Sequence, residues 1–399
     1  MSTTNTSAAM PTPKPLEAAP MAGGGQRPHI CFLAPTAWPI LAGDKDIPVI
    51  GGAELQQSLI ARMLAARGYR VSMISINYGQ ADGTVVDGVR IYNMHKPFEG
   101  IPVLRFVHPR LTSLWRALKR VDADIYYQRT AAAYTGFMAA FCKANGKRSI
   151  YAGASDVDFL PGKQAISFAR DRMIYEYGLR RVDTVIVQNE NQQLYLRRHY
   201  GREGLLVPNF YDAPANARAD RAGYVLWVAT VREQKRPELV LELARRLPRH
   251  RFVMIGGSDT GWFGEDYARR IREAAERLPN VQFKGFMPFE EADGWFSGAR
   301  VVLNTSTYEG FPNTFLQAWA RGVPSVAFVD TGSRRDGQPV YDIATDMDDA
   351  TTRIDRLMSD DLAWEKASQR VFVHHREHHS VEGVAGLYES EIRHLAPRP

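Results

Sequence analysis

Short runs of β-branched and aromatic residues alternate with longer helical patterns along this chain, and the alternation restarts once, near its middle. Strands that alternate with helices form parallel sheets covered by helices, so the pattern predicts α/β structure from end to end. The first half has predicted strands at 29–35, 69–77, 124–129, 148–154, 184–188 and 205–209, and helices at 53–67, 111–120, 132–144, 165–180 and 190–200. The second half has predicted strands at 224–229, 251–255, 281–286, 301–304 and 325–329, and helices at 237–246, 267–278, 289–296 and 314–320. Each half therefore predicts one doubly wound domain.

The length of the chain agrees with two domains, because 399 residues are too many for one hydrophobic core, which stops growing near roughly 250 residues. Residues 1–26 are rich in Ala, Pro, Thr, Ser and Gly, and too few of them are large and apolar to offset the entropy of ordering. The predicted division is a disordered tail 1–26, a first domain 27–209, a second domain 210–379 and a C-terminal helix 380–399 that returns toward the first domain. A turn-rich stretch at 208–220 is the predicted linker, and we expect the helices after residue 346 to pack across the junction.

The composition restricts the class of protein and its compartment. An apolar share of 45% with 24% charged residues is typical of globular chains. The two cysteines, Cys31 and Cys142, are too few for a disulfide framework or a cysteine-built zinc site, and a reducing cytoplasm accommodates them. The apolar run 30–43 is about half the length of a spanning helix and contains two prolines, so we expect no membrane crossing.

Charge is distributed unevenly along the chain. Residues 1–203 carry 25 Lys+Arg against 16 Asp+Glu, a net charge of +9, whereas the remainder carries 25 against 28, a net charge of −3. The basic half is consistent with an anionic partner such as phospholipid, a lipid diphosphate or nucleic acid. Composition alone favours the plainer interpretation, a solvated basic surface.

One segment after a predicted strand of the second half carries the densest set of ligand-binding residues. In open parallel sheets, ligands bind at the carboxyl ends of the strands where the winding reverses. The segment reads Thr305-Ser306-Thr307-Tyr308-Glu309-Gly310-Phe311-Pro312-Asn313-Thr314-Phe315-Leu316-Gln317. Gly310 permits close approach of a ligand, and the N–H groups of a helix that opens near Thr314 can receive a phosphate. Glu309 can accept sugar hydroxyls, and Gln317 lies about two turns further on, within reach of a ribose.

This segment resembles the Glu-Gly-Phe-Pro-Asn motif of the family-four glycosyltransferases of GT-B fold, which carry a second glutamate eight positions after the first. The resemblance extends over most of residues 28–395 and includes four further motifs in the family's order. They are Gly51-Gly52-Ala53-Glu54, the stretches 181–188 and 207–209, and the loop 227–237 with Lys235. The resemblance implies two Rossmann-like domains that face a central cleft, with C-terminal helices packed across the junction.

The resemblance also implies an activity, the transfer of a sugar with retention from a UDP- or GDP-sugar to a glycan or lipid-linked glycan hydroxyl, without metal or cofactor. The implied setting is exopolysaccharide or surface-glycan assembly, in the cytoplasm or at the inner face of the cell membrane. Peripheral contact with an anionic membrane fits the +9 charge, and no nucleic-acid partner is expected.

The site residues are assigned by the same resemblance. The catalytic groups are Glu309, Lys235 and Arg232, of which Lys235 grips the diphosphate. The donor-binding residues are Gly51, Gly52, Thr230, Gly310, Phe311, Asn313, Thr314 and Gln317. Asp156 and Asp158 are the acceptor candidates, because they follow the fourth predicted strand of the first domain, where many relatives have a histidine.

Three positions depart from the family's pattern. Gln317 replaces the second glutamate, so the ribose would meet a neutral amide. Thr230 occupies the usual place of the phosphate-loop arginine, and Arg232 lies two residues further on. The stretch 152–158 contains no histidine. A non-catalytic GT-B protein that binds a nucleotide sugar or glycan beside a partner enzyme, or a nucleotide-sugar epimerase, therefore stays open as an alternative.

Other patterns have competing interpretations. Asp156 and Asp158 have the Asp-x-Asp spacing of metal-dependent transferases, but that design has no use for a second Rossmann-like half. The run 374–379 places histidines at i,i+4 spacing, as in zinc sites, but a solvated helix end is the favoured interpretation. The stretch 256–261 has the wrong glycine spacing for a dinucleotide fingerprint. The helix at 111–120 has an apolar face that suits either the core, which we favour, or a membrane interface.

Overall fold

The computed structural model describes residues 27–44, 47, 51–101, 105–213, 223–258 and 262–396. The predicted disordered tail 1–26 and most of the predicted linker lie outside these residues. None of the helices in this part of the chain is long and apolar enough to span a bilayer.

The first domain is built on an eight-stranded sheet with the order β3-β4-β2-β1-β5-β6-β7-β8. All neighbouring strands are parallel except the pair β3 and β4, which forms the hairpin that the Asp87-Gly88 turn predicts. The strands are β1 (His29–Leu33), β2 (Arg70–Ser75), β3 (Val85–Val86), β4 (Val89–Asn93), β5 (Ile125–Arg129), β6 (Arg148–Ala152), β7 (Thr184–Val187) and β8 (Leu205–Leu206). The helices are α1 (Trp38–Ala42), α2 (Gly52–Ala66), α3 (Thr112–Val121), α4 (Ala133–Asn145), α5 (Ala169–Leu179) and α6 (Glu190–Tyr200).

The second domain is built on a six-stranded parallel sheet with the order β11-β10-β9-β12-β13-β16. Its strands are β9 (Tyr224–Val228), β10 (Phe252–Ile255), β11 (Val281–Gly285), β12 (Ala299–Asn304), β13 (Ser325–Ala327) and β16 (Asp342–Ile343), with a separate hairpin of β14 (Arg334–Arg335) and β15 (Gln338–Pro339). Its helices are α7 (Pro237–Arg246), α8 (Trp262–Glu276), α9 (Phe289–Gly294), α10 (Asn313–Trp319), α11 (Met347–Ser359) and α12 (Asp361–His378). The winding reverses between β9 and β12, as it does between β1 and β5 of the first sheet.

The two-domain α/β class predicted from the sequence is confirmed, and the predicted elements agree with the observed ones to within a few residues. Three features were not predicted: the short helix α1, the hairpin β14–β15 and the edge strand β16. All three are too short to generate a periodic pattern. The helix at 111–120 packs into the core as favoured, since Leu114 and Leu118 are buried and Trp115 meets Phe141 edge-to-face at 5.2 Å.

The C-terminal helices cross the domain junction, as predicted. Helix α12 packs in the second domain, where Val371 joins the core. The chain then turns at Ser380, whose side chain caps α13 (Val381–Leu395) by accepting a hydrogen bond from the Gly383 N–H. Tyr388 and Ile392 of α13 are buried against the first sheet. The last helix of the chain therefore completes the core of the first domain.

The described beginning of the predicted linker is buried and is held by side chains of the first domain and by a hydrogen bond from His379, at the end of α12, to the Asn209 carbonyl. The Asn209 side chain accepts a hydrogen bond from Arg129 at 2.7 Å and donates one to Gln188 at 3.1 Å. The side chain of Gln56 on α2 donates to the Phe210 carbonyl at 2.8 Å and accepts from the Phe210 N–H at 3.3 Å. These hydrogen bonds thus fix the position of the chain where it passes from the first domain to the second.

Candidate functional site

Two loops meet at the point where the winding of the second sheet reverses. One loop follows β9 and contains Lys235, and the other follows β12 and contains Glu309. Because β9 and β12 are neighbours in the sheet, the loops leave its carboxyl edge side by side. This is the position at which open parallel sheets bind their ligands.

The side chains of Lys235 and Glu309 form an ion pair, with 2.5 Å between Lys235 Nζ and Glu309 Oε1. The same carboxylate oxygen accepts hydrogen bonds from Ser306 Oγ at 2.5 Å and from Asn304 Nδ2 at 3.3 Å. The side chains are only 15% and 13% exposed, so the pair is little screened by solvent. Three donors therefore hold one oxygen of Glu309 at the rim of the cleft.

Backbone and side-chain hydrogen bonds join the two loops to each other. The Thr307 N–H donates to the Gln234 carbonyl at 2.9 Å, and Gln234 Nε2 donates to the Tyr308 carbonyl at 2.6 Å. Arg236 Nε donates to the Thr305 carbonyl at 2.6 Å. The contacts between these residues could not be predicted, because the partners lie about 70 positions apart and no local pattern pairs them.

Arg232 and Thr230 lie in the same loop as Lys235. Arg232 is exposed and comes directly before the 3-10 turn Glu233–Lys235, and Thr230 is partly exposed. Both residues therefore sit where the resemblance expects the phosphate-binding loop.

The first domain touches this site through the turn that follows β6. A Cβ atom built on Gly310 would lie 2.6 Å from the Ala154 carbonyl oxygen and 3.2 Å from the Cα of Ser155. Any larger side chain at position 310 would push the two loops apart. Glycine is therefore required where the two domains approach each other.

The predicted glycine pair lies at the start of α2 and faces the second domain. Asn313 Nδ2 donates to the Gly52 carbonyl at 3.0 Å, and Gln56 Nε2 donates to Asn313 Oδ1 at 3.0 Å. Gly51 precedes Gly52 at the N-terminus of the helix, and the carboxylate of Glu54 folds back over it while accepting from Thr36 Oγ1 at 2.7 Å. Gly51, Gly52 and Asn313 are thus brought together across the cleft.

Asp158, one of the two acceptor candidates, lies in the turn that follows β6. Its carboxylate is buried and accepts hydrogen bonds from the N–H groups of Ala154 and Ser155 and from the Tyr151 hydroxyl. Burial raises the pKa of Asp158 to about 6. This residue shapes the turn after β6, whereas Asp156 is only partly buried and accepts from Asn189 Nδ2 at 3.2 Å.

Gln317 and Phe311, both predicted to bind the donor, have buried side chains. Gln317 is 5% exposed, and its amide nitrogen donates to Asp293 Oδ1 at 2.8 Å. The ring of Phe311 is buried against Trp319 and His379. In this structure the amide of Gln317 is therefore bonded to Asp293 and has little surface exposed to the cleft.

Thr314, by contrast, lies in the first turn of α10 and is partly exposed. Its place at the start of this helix agrees with the expectation from the sequence.

The histidines at 374–379 are mostly buried, which corrects the expected solvated helix end. His374, His375 and His379 have little exposed surface, because the end of α12 packs on the linker. His375 Nε2 donates to the Tyr211 carbonyl at 2.7 Å, and His379 Nδ1 donates to the Asn209 carbonyl at 2.8 Å. Burial lowers the pKa of His375 to about 4 and that of His379 to about 3.

In the part of the chain that the structure describes, no three His, Cys, Asp or Glu side chains are grouped so that they could hold a metal ion.

The sequence matches two glycosyltransferase families, one in each domain. Residues 51–210 match the family described as glycosyl transferase 4-like domain, and residues 222–360 match the family described as glycosyl transferases group 1. A curated relative, O-antigen chain mannosyltransferase B of Escherichia coli, is 30% identical over 107 residues. That alignment spans 26% of this chain and 28% of the relative, so it covers only a part of either protein.

Solved structures of similar fold cover nearly the whole chain. Sucrose-phosphate synthase from Thermosynechococcus elongatus superposes with a TM-score of 0.72 at 19% identity, over 92% of this chain and 99% of that one. Anabaena HepE in complex with UDP-glucose superposes with a TM-score of 0.70 at 15% identity, over 91% and 99%. With both halves matched in sequence and the two-domain fold shared, this chain belongs to the glycosyltransferases of GT-B fold.

Proposed function

We propose that this protein is a retaining glycosyltransferase that transfers a sugar from a UDP- or GDP-sugar to a hydroxyl of a glycan or lipid-linked glycan. The observation that carries the proposal is the Lys235–Glu309 pair at the reversal point of the second sheet, 2.5 Å apart and little exposed. A cation and a carboxylate in contact there match the needs of a nucleotide-sugar donor, which presents a diphosphate beside a sugar ring.

The positive charges of the loop after β9 would hold the diphosphate of the donor. Charge accumulates on the leaving phosphate as the glycosidic bond breaks, and a fixed cation stabilises it most in a site with little water. Lys235 would move from Glu309 to the phosphate, and Arg232 would add a second charge. We propose that these two residues take the part that a metal ion has in other transferases, and that no cofactor is needed.

Glu309 would then bind the sugar. When Lys235 turns to the phosphate, the hydrogen bonds from Ser306 and Asn304 keep one carboxylate oxygen in place. The carboxylate can accept sugar hydroxyls and stabilise the positive charge that develops on the ring.

Retention would follow from attack on the face that the leaving group occupies. The bond between the anomeric carbon and the phosphate oxygen breaks, and a bond to the acceptor oxygen forms on the same side. The proton of the acceptor hydroxyl passes to the phosphate oxygen, so the protein needs no separate base. Closure of the domains over the cleft would keep water from competing with the acceptor.

The acceptor would lie against the first domain, near Asp156. HepE was crystallised with UDP-glucose, and the curated relative is named for O-antigen chain synthesis. These names support a nucleotide-sugar donor and a saccharide acceptor in surface-polysaccharide assembly, in the cytoplasm or at the inner face of the cell membrane.

A non-catalytic role is the second candidate, and the burial of Gln317 against Asp293 favours it. A cleft without a side chain that contacts the ribose could bind a nucleotide sugar weakly and support a partner enzyme. A nucleotide-sugar epimerase would instead convert the donor without an acceptor.

The test is a panel of UDP- and GDP-sugars, with and without EDTA, followed by nucleotide release and thermal unfolding. We expect one donor to raise the unfolding temperature and to release its nucleotide at a rate that EDTA does not change. Lys235→Ala should abolish both effects, whereas the matched variant Lys366→Ala on the exposed face of α12 should retain them. Protection without release supports the non-catalytic role, and conversion of the sugar without an acceptor supports an epimerase. If no donor protects the protein, the proposal fails.

A further inference from the structure

A small apolar cavity opens beside the reversal point of the first sheet. Its volume is about 210 Å³. Ala131, Ala132 and Ala133 line it directly after β5, and the rings of Phe106 and Phe137 form a wall with centroids 5.8 Å apart. Arg110 and Asp171 also line it, so the cavity suits a group in which apolar carbon is joined to polar atoms. The cavity therefore lies at the edge of the cleft where an acceptor would enter.

The surface around the cavity carries an unusual group of exposed apolar side chains. In the described part of the chain, 14 large hydrophobic side chains are exposed, and six of them fall in two short segments. The six are Phe98, Ile101, Val107, Phe168, Met173 and Tyr177, and we call the surface that they form with the cavity mouth the apolar face. Phe98 is 87% exposed and Phe168 is 66% exposed. Isolated exposed apolar residues are ordinary, but a group around one cavity marks an interaction site.

Contacts between the two segments show that they form one surface. The guanidinium of Arg170 lies 3.3 Å from the ring centroid of Phe106, which joins α5 to the loop before α3. Residues 98–101 fold against the same loop, since a Cβ on Gly100 would lie 2.5 Å from Pro109. Met173 is three residues after Arg170 on α5 and so shares its side of the helix.

The charge of this surface identifies its partner. Residues 96–110 carry three cations, Lys96, Arg105 and Arg110, against Glu99. Residues 163–177 carry three cations, Lys163, Arg170 and Arg172, against Asp171 and Glu176. A surface of this kind can bind an anionic bilayer. Its exposed apolar side chains enter the boundary between the headgroups and the acyl chains, and the basic side chains around them contact the headgroups.

We propose that the apolar face binds the surface of an anionic phospholipid bilayer and places the opening of the first-domain cavity against it. An acceptor anchored in that bilayer would then reach the cleft at the carboxyl end of β5 without leaving the membrane surface. This proposal goes beyond the proposed function, since bilayer binding requires neither donor nor catalysis.

The test is flotation of the full chain with vesicles of phosphatidylglycerol and phosphatidylcholine in equal parts, compared with phosphatidylcholine alone, at low and at high salt. We expect flotation with the anionic vesicles that weakens as salt rises. Phe168→Glu should weaken the partition by about ten-fold or more, because it removes an apolar tip and adds a negative charge. The matched control is Leu362→Glu on α12, where the leucine is also 66% exposed, and it should bind as the wild type does.

Three outcomes would overturn the proposal: no flotation of the wild type, equal flotation with neutral vesicles, or equal losses in Phe168→Glu and Leu362→Glu. A dimer in lipid-free solution that Phe168→Glu dissociates would identify a second copy of the chain as the partner instead. Thermal protection by the donor, measured without lipid, keeps failure of this proposal separate from failure of the proposed function.

Discussion

At Glu309, three donors converge on a single carboxylate oxygen, and only one of them is charged. The proposed mechanism requires that donor, Lys235, to exchange the carboxylate for the diphosphate. Glu309→Gln should therefore have two opposite effects. It should tighten binding of the bare nucleoside diphosphate several-fold, roughly 1 kcal/mol, because Lys235 no longer has an anionic partner. It should also lower kcat by about 10²-fold, because the charge that stabilises the sugar is lost.

Calorimetric titration with UDP and GDP and steady-state rates with the identified donor measure the two effects. Glu273→Gln on the exposed side of α8 is the control and should change neither. A variant that binds the nucleotide more weakly and turns over at the wild-type rate would show that Lys235 and Glu309 do not compete in this way.

At the scale of elements, α9 and α10 are joined by a buried polar cluster. Asp293 of α9 accepts from Gln317 Nε2 at 2.8 Å and pairs with Arg321 at 2.6 Å. Gln317→Glu would place a second carboxylate against Asp293 with one arginine to serve both. Leaving a buried charge without a partner typically costs about 3 kcal/mol or more, so we expect a clear fall in the unfolding temperature at neutral pH.

The exchanged double variant, Asp293→Asn with Gln317→Glu, tests this explanation. It retains one carboxylate, one amide and one arginine, and it should recover most of the lost stability. Thermal unfolding of the two single variants and the double variant completes the cycle. Additive losses would mean that residues 293 and 317 act independently.

This cluster also shows why part of the site could not be predicted from the sequence. Strands such as β9 and β12 could be predicted because buried runs between turns have a local signature, and Glu309 and Lys235 follow them directly. The orientation of the Gln317 side chain could not be predicted, because it depends on Asp293, which is 24 positions away on another helix. Burial of the histidines at the end of α12 depends likewise on Asn209 and Tyr211, about 170 positions earlier in the chain.

At the scale of the whole molecule, the chain crosses between its domains at two adjacent places. The linker at Asn209–Tyr211 leads from the first domain to the second. The turn from α12 to α13 lies beside it and leads back to the first domain. The histidines at the end of α12 fasten the two crossings together, since a carbonyl can only accept and each ring nitrogen must therefore donate. The relative position of the two domains therefore depends on hydrogen bonds from two groups that titrate, and burial disfavours the charged form of both.

A fall in pH should therefore destabilise the contact between the linker and the end of α12 before it protonates most surface carboxylates. Burial holds the pKa of His375 at about 4 and that of His379 at about 3, below the ordinary 6.5. Between these values the unfolded chain binds more protons than the folded one, so stability is complete above about pH 6.5 and falls as the pH decreases. At about pH 5.5 each histidine should account for roughly 1.4 kcal/mol of lost stability.

Other groups titrate in the same window, so the measurement must isolate the two histidines. Burial lowers the pKa of His29 and that of His374 to about 4, which adds to the loss, whereas the raised pKa of Asp158, about 6, opposes it. The double variant His375→Gln, His379→Asn keeps a neutral donor at each position and leaves the other groups unchanged. Denaturant unfolding from pH 8 to pH 5.5 should show a free energy of unfolding that declines more slowly in the variant, by roughly 3 kcal/mol over the range. Parallel profiles for variant and wild type would mean that the two rings are protonated in the folded protein, and that the crossing does not depend on their neutral form.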